Sequence, residues 1–235
     1  MKYKVDLHNH SCLSPCASLE MSPLVLVEHA VKKKIDILAL TDHNSTRNLP
    51  AFAVCCANNR ITPIFGLEVN TFEEVHVVCL FEKLEKAVSF GNYIESTLPE
   101  ISNDPEVFGD QIIVDEFENI LGSVDPVLFS SSSISFFELI QRVLDLDGLV
   151  IPAHIERFRN GAVSQLGFLP DLPYSAVESL SVPCVYETYN NAVITGSDAH
   201  IPASVGSRSF YITDERKPDF FSLSHALQEN SILYR

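Results

Sequence analysis

Hydrophobic and polar residues alternate from Tyr3 to His8, the two-residue period of a strand. Ser22-Pro23 supplies an N-cap followed by proline at the first helical position, and Leu24, Val27 and Val31 then recur at helical spacing. Lys32-Lys33-Lys34 suits the negative C-terminal end of that helix. Ile35 to Thr41 is a short apolar run that predicts a buried strand, and Ile61 to Phe65 and Val75 to Phe81 predict two more. Leu84, Val88 and Ile94 fall on one face of a helix. Ser135-Phe-Phe-Glu138 reads as a capping box, Ile140, Val143 and Leu144 continue its helix, and Gly148 ends it. Leu149 to Ala153 and Ala192 to Thr195 predict strands, with a loop-rich stretch at 160–184 between them. Pro218 opens a last helix with Phe220, Leu223 and Leu227 on one side. Repeated strand–helix units predict an α/β fold with a mainly parallel sheet, open or closed into a barrel.

Residues 99–132 break that rhythm. They hold Pro99, Pro105, Pro126 and a serine run at 130–133, and Gln111 to Val114 with the following Asp-Glu-Phe-Glu-Asn predicts a strand and turn. The stretch reads as an inserted loop or hairpin rather than a second domain. Length agrees with a single domain over 1–235, because α/β barrels commonly occupy roughly 200–250 residues. The hydrophobic content of 46% suffices for a sizeable core.

Charge narrows the partners. Sixteen basic residues against 31 acidic ones give a formal net charge of −15, a field that repels long nucleic acid. Nucleic acid is therefore expected only as a short oligonucleotide, and a small substrate is favoured. The N-terminus lacks the apolar stretch of a signal peptide, and no apolar run approaches the ~20 residues that span a bilayer. A cytoplasmic location with no membrane partner is the expectation, and no obligate protein partner is evident. The cysteines (Cys12, Cys16, Cys55, Cys56, Cys79, Cys184) then read as reduced thiols, and the absence of a CxxC pair excludes the common kind of structural zinc site.

The polar residues at the strand ends carry the chemistry. His8 and His10 form an H-x-H pair after the first strand, and residues two apart in an extended chain point the same way. One metal can take two nitrogens from such a pair. Thr41-Asp42-His43 follows the second apolar strand, Glu68 follows Ile64-Phe65-Gly66-Leu67, His76 sits among Val75, Val77 and Val78, His154 follows Val150-Ile151-Pro152-Ala153, and Asp198 and His200 form a D-x-H pair after Val193 to Ser197. The C-terminal edge of strands is where α/β folds build active sites. Mixed imidazole and carboxylate ligands suit zinc, manganese or iron. A buried carboxylate such as Glu68 can bridge two metals. His29 and His225 lie in predicted helices away from these segments and read as structural or surface residues.

The segments Asp6-Leu-His-Asn-His10, Leu40-Thr-Asp-His43, Gly66-Leu-Glu68, Pro152-Ala-His154 and Gly196-Ser-Asp-Ala-His200 arrive in the order found in the polymerase and histidinol phosphatase (PHP) family, which the chain resembles over nearly its whole length. The resemblance implies a distorted, TIM-like (β/α)7 barrel, two or three divalent metal ions and phosphoester hydrolysis by a metal-bound hydroxide. It implies a first metal on His8, His10, Glu68 and Asp198, a second shared through Glu68 with His76 and His154, and a third on His43 and His200. Relatives usually place one more His or Asp shortly after the H-x-H pair; here the stretch is Ser11-Cys-Leu-Ser-Pro-Cys16, and Cys16 is the candidate replacement. A thiolate there favours zinc or iron over manganese. The alternative for Cys16 is a small buried core residue. Asp42 reads as a partner of a ligand or a proton acceptor, and Arg157, preferred over Arg47 and Arg159, as the group that holds a phosphate in bidentate fashion. The substrate classes left open are small phosphomonoesters, nucleotides and the ends of short oligonucleotides. Competing expectations are a metal-dependent amidohydrolase and a non-catalytic, metal-stabilised accessory protein.

Overall fold

A computed structural model describes residues 1–234. In chain order its strands are β1 (Lys2–Asp6), β2 (Ile37–Leu40), β3 (Thr62–Asn70), β4 (His76–Phe81), β5 (Ile112–Val114), β6 (Ile120–Ser123), β7 (Leu149–Pro152), β8 (Val177–Glu178), β9 (Val193–Ile194) and β10 (Phe210–Thr213). The helices are α1 (Pro23–Lys32), α2 (Leu49–Asn59), α3 (Leu84–Glu95), α4 (Pro105–Phe108), α5 (Phe136–Asp145), α6 (Ala162–Leu166) and α7 (Phe220–Gln228). The N-caps read from sequence form where expected, the Ser22 hydroxyl accepting from Val25 N at 3.1 Å and the Ser135 side chain from Glu138 N at 3.2 Å, but the Glu138 carboxylate of the expected capping box is taken by Arg142 Nε at 2.8 Å. The last helix begins later than Pro218, because Asp219 is its cap and accepts from Ser222 N at 2.8 Å.

A six-stranded sheet runs in the order β10-β1-β2-β3-β4-β7, with separate pairs β5-β6 and β8-β9. It is a curled, mixed sheet, and the fold is the α/β, distorted-barrel type expected from the sequence. The β8-β9 pair links the two ends of the curl. Beside β7, Ser175 N donates to Val150 O and Ile155 N to Glu178 O; beside β1, His10 N donates to Ala199 O at 3.0 Å.

The expectation of a mainly parallel sheet is corrected. Within the six-stranded sheet only β1-β2 and β2-β3 are parallel; β1-β10, β3-β4 and β4-β7 are antiparallel. The cause is the short turn between β3 and β4, closed by Thr71 N donating to Val75 O at 3.0 Å. A parallel neighbour needs a crossover of a dozen or more residues, whereas a tight turn imposes an antiparallel return. Pairing with β4 also carries β3 past Phe65 to Asn70, so Glu68 lies inside a strand rather than beyond its end. Gly66 permits the close approach, because a Cβ there would lie 2.4 Å from Cys79 O.

Side chains alternate between two cores. Leu38, Leu40, Leu67, Val77 and Cys79 pack outward with Leu26, Phe52, Phe90 and Ile140 of the covering helices. Ile37, Ala39, Ile64, Val78, Leu80 and Ile151 point inward, and Phe220, Leu223 and Leu227 of α7 join them. Fully burying one such side chain contributes ~1.5–3 kcal/mol. Thr62 Oγ1 donates to Pro218 O at 3.2 Å, which places the approach to α7 at the start of β3. The opposite mouth is left to the polar residues. Residues 99–132 hold α4 and the β5-β6 hairpin, and buried amides tie them to that mouth: Asn44 Nδ2 donates to Leu128 O and Ser130 O, and Asn70 Nδ2 to Phe129 O. Among the described residues no helix is long and apolar enough to cross a membrane.

Candidate metal centre

Glu68 is fully buried at the centre of the mouth. Its Oε1 lies 2.9 Å from His76 Nδ1, 3.1 Å from His154 Nε2 and 3.3 Å from His8 Nε2. Its Oε2 lies 3.1 Å from His43 Nδ1 and 3.4 Å from His10 Nε2. Strand geometry explains the convergence. Glu68 shares the inward face of β3 with Ile64, and His76 shares that of β4 with Val78 and Leu80. His43 closes the gap by a bridge to Glu68 just past β2.

The H-x-H pair begins two residues beyond the end of β1, and its two Nε2 atoms are 3.2 Å apart. Both face Asp198 Oδ1, His8 at 3.4 Å and His10 at 3.2 Å. Asp198 and His154 reach the site through left-handed backbone, with φ 46° and φ 31°. Such conformations cost of order 1–3 kcal/mol each in a residue with a Cβ, and they gather at functional sites. His200 Nδ1 donates to the backbone carbonyl of Asp198 at 2.8 Å, and its Nε2 lies 3.1 Å from Cys16 Sγ.

Three groups of donor atoms lie close enough to share a cation: His8, His10, Glu68 and Asp198; His43, Glu68 and His76; and His10, His43 and His200, with the atoms of each group within 4.8 Å of one another. The chemistry of the set fits divalent metal ions. Glu68 Oε2, His43 Nδ1, His76 Nδ1 and Asp198 Oδ1 are buried and lack an aligned hydrogen-bond partner, although imidazole nitrogens and carboxylate oxygens stand within 3.4 Å of one another. Lone pairs that converge without hydrogen-bond alignment suit a cation between them.

The electrostatics reflect the same crowding. Burial opposes charge on His8, but Glu178, Glu68 and Asp198 raise its pKa well above the usual histidine value. Burial opposes charge on His10 too, yet Asp198 and Glu68 raise it to about 9. Burial pushes the Glu68 carboxyl up, and the surrounding imidazoles more than reverse this, holding it well below the carboxylate range. Burial and His10 lower His200 to about 4.

The remaining residues singled out from sequence divide by location. Arg157 Nη1 donates to Asp198 Oδ2 at 2.7 Å, at the edge of the cluster. Arg47 is instead held by Glu95, with Nη2 to Oε2 at 2.6 Å. Asp42 is buried beneath the cluster and accepts from Ser11 N, Ser11 Oγ and Ser14 Oγ at 2.6–2.7 Å. His29 and His225 belong to α1 and α7, outside the cluster.

Sequence reasoning missed Glu178, whose Oε2 takes the Nδ1 of His8 at 2.8 Å. It lies in the two-residue strand β8, inside the stretch read as loop, where no periodicity window can find it. Gly196 makes room for this contact. A Cβ there would lie 2.6 Å from His8 Cβ and 2.7 Å from Glu178 Oε2.

A family model for the PHP domain matches residues 6–146. A search of curated proteins finds no match. Among solved structures, the lesion-specific endonuclease Q of Pyrococcus furiosus superposes with a TM-score of 0.70 at 17% identity, over 97% of this chain and 56% of that one. An endonuclease Q complex with a 27-mer duplex substrate bearing an abasic lesion at its active site gives a TM-score of 0.71 at 18% identity, over 97% and 57%. A candidate metal-dependent phosphoesterase from Bifidobacterium adolescentis gives 0.59 at 16% identity, over 96% of both chains. The chain thus spans little more than half the length of the endonuclease Q chains it matches. At these identities the likeness shows the fold.

Proposed function

The chain belongs to the PHP domain family, and from that premise we propose that it hydrolyses the phosphate ester of a small metabolite, a nucleotide or the end of a short oligonucleotide. The observation that carries the proposal is the convergence of five imidazoles on both oxygens of Glu68, with unaligned lone pairs between them. In this reading His8, His10, Glu68 and Asp198 hold one divalent metal ion. Glu68, His76 and His154 would hold a second, and His43, which belongs to two of the donor groups, would join His200 and Cys16 on a third. Bound there, zinc, manganese or iron would supply Lewis-acid charge at the phosphate and a nucleophile from water near neutral pH.

The chain's own residues supply orientation. Arg157 is about one-third exposed beside Asp198, so its guanidinium reaches a phosphate at the mouth while still tethered to the cluster. Charge-assisted, bidentate contacts of this kind fix the ester and meet charge on its oxygens. In this reading Asp42 acts from behind the ligands rather than on the substrate, because its oxygens accept from Ser11 and Ser14 and it is buried. Residues 99–132, an insertion within one domain in this reading, flank the mouth and shape what enters.

Substrate size follows from charge. A protein that tracks a long phosphate backbone neutralises many phosphates, ~6–10 in strong cases. Here the net charge is −15, Arg47 is committed to Glu95, and Arg208 Nη2 donates to the carbonyls of Ser179 and Leu180. Endonuclease Q binds duplex DNA, which supports a phosphodiester as a second reading. The test is phosphate release and strand cleavage by metal-loaded protein across nucleotides, sugar phosphates, histidinol phosphate, short oligonucleotides and an abasic duplex. Turnover of small monoesters or oligonucleotide ends with little action on the duplex is expected. Opening of amide substrates with no phosphoester cleavage would replace the proposal by the amidohydrolase reading.

A further inference from the structure

Behind the H-x-H pair, away from the mouth, each imidazole is backed by a buried carboxylate. For His8 the contact is direct: Nδ1 meets Glu178 Oε2 at 2.8 Å. For His10 it passes through a hydroxyl. His10 Nδ1 is 3.0 Å from Ser14 Oγ, and Ser14 Oγ is 2.7 Å from Asp42 Oδ1. All of these groups are at most 2% exposed.

Proton accounting fixes the direction of this chain. Ser14 has one hydrogen to donate and two lone pairs to offer. His43 N–H, 3.1 Å away, can only donate, so it occupies one lone pair. The Asp42 carboxylate can only accept, so it takes the hydroxyl hydrogen. One lone pair remains, and His10 Nδ1 must donate to it. His8 Nδ1 must likewise donate to the Glu178 carboxylate. Both rings then hold a hydrogen on Nδ1, which leaves Nε2 as the atom each can offer a cation at the centre, where the two Nε2 atoms stand 3.2 Å apart.

We propose that Ser14 and Asp42 form a positioning relay that locks His10 in its metal-binding tautomer and orientation, and that Glu178 performs the same task for His8. The proposal rests on the reading of the cluster as a metal site. It assigns Asp42 a role through His10 rather than on substrate, and brings in Ser14 and Glu178. Groups that hold a ligating histidine from behind typically affect metal affinity roughly 10–100-fold.

The test measures zinc affinity by competition with a chelator for wild type, Ser14→Ala, Asp42→Asn, Glu178→Gln and the double variants Ser14→Ala/Asp42→Asn and Ser14→Ala/Glu178→Gln, without reference to turnover. Ser14→Ala is expected to weaken the tightest affected zinc roughly 10–100-fold. Because the relay is serial, adding Asp42→Asn to Ser14→Ala should cost little more, whereas adding Glu178→Gln should multiply the loss. A merely structural role would lower thermal stability and leave zinc affinity and this pattern of coupling unchanged. Long-range proton–nitrogen NMR of zinc-loaded wild type supplies a reading that needs no variant to fold: His8 and His10 should show a protonated Nδ1 and a zinc-bound Nε2. Coordination through Nδ1, unchanged zinc affinity in Ser14→Ala, or full additivity with Asp42→Asn overturns the relay while leaving the metal site standing. Wild type that takes up no zinc and no other divalent ion overturns the metal reading, and the relay with it.

Discussion

Glu68→Gln separates a bridging carboxylate from an ordinary ligand. The substitution keeps shape and one oxygen but removes the charge and gives the other position an amide N–H₂. In the folded chain Oε1 meets His8, His76 and His154 while Oε2 meets His10 and His43, so whichever oxygen is lost, both neighbouring donor groups are affected. Taking roughly 10–100-fold as the minimum loss at each of two metals, the joint affinity falls by ~10²–10⁴. At ~1.4 kcal/mol per tenfold this is about 3–6 kcal/mol. His200→Ala is the control, because His200 belongs to one donor group only. Elemental analysis after dialysis against graded chelator should show two metal equivalents leaving together in Glu68→Gln and one in His200→Ala. The metal-free variant should also melt lower, since removing one partner of a buried charge cluster costs ~3–5 kcal/mol. Retention of every metal at wild-type affinity, or loss of the same single metal as His200→Ala, refutes the bridge.

Arg157→Ala should raise KM or lower kcat for a phosphate ester roughly 10–100-fold, as expected for charge-assisted hydrogen bonds, with metal stoichiometry unchanged. Arg47→Ala should leave kinetics untouched and shift stability by at most ~1 kcal/mol, because its partner Glu95 stands on α3 and the pair is partly exposed. Cys16→Ser should release one metal under mild chelation while the others stay bound, as its sulfur sits 3.1 Å from His200 Nε2; unchanged stoichiometry would return Cys16 to an ordinary thiol. Gly196→Ala should lower both the melting temperature and the occupancy at His8, since the new methyl collides with His8 and Glu178; a variant with wild-type melting and metal content would show that the loop gives way without cost.

What the sequence reveals depends on how local each signal is. Segments with a period and a cap, such as α1 behind Ser22 and α5 behind Ser135, are legible from composition alone. Helix α2 is not, because Leu49, Ala51, Phe52, Cys55 and Cys56 are buried and little polar contrast marks its outer side. Strand β10 buries Phe210, Tyr211 and Ile212 in succession, so it lacks the alternation that betrays a half-exposed strand. The histidines were legible because imidazoles at strand ends are rare and ordered. Glu178 and Ser14 were not, because a lone carboxylate in a two-residue strand and a serine in a loop resemble hundreds of ordinary positions until distance joins them to His8 and His10.

The reversal of β4 is the step that joins topology to chemistry. His76 begins its strand, and in an all-parallel barrel the beginning of a strand lies at the end opposite the active mouth. The tight 71–75 turn inverts β4, so its first residue pairs with Asn70, the last of β3, and lands at the mouth. Its register then fixes the contact. Glu68 stands opposite Val78, two positions along the same inward face as His76, which brings His76 Nδ1 to 2.9 Å from Glu68 Oε1. A one-residue slip in this pairing would turn His76 to the helical side and expose the cluster's carboxylate to a hydrophobic neighbour. The departure from a parallel sheet is therefore how this chain delivers one of the imidazoles that Glu68 requires.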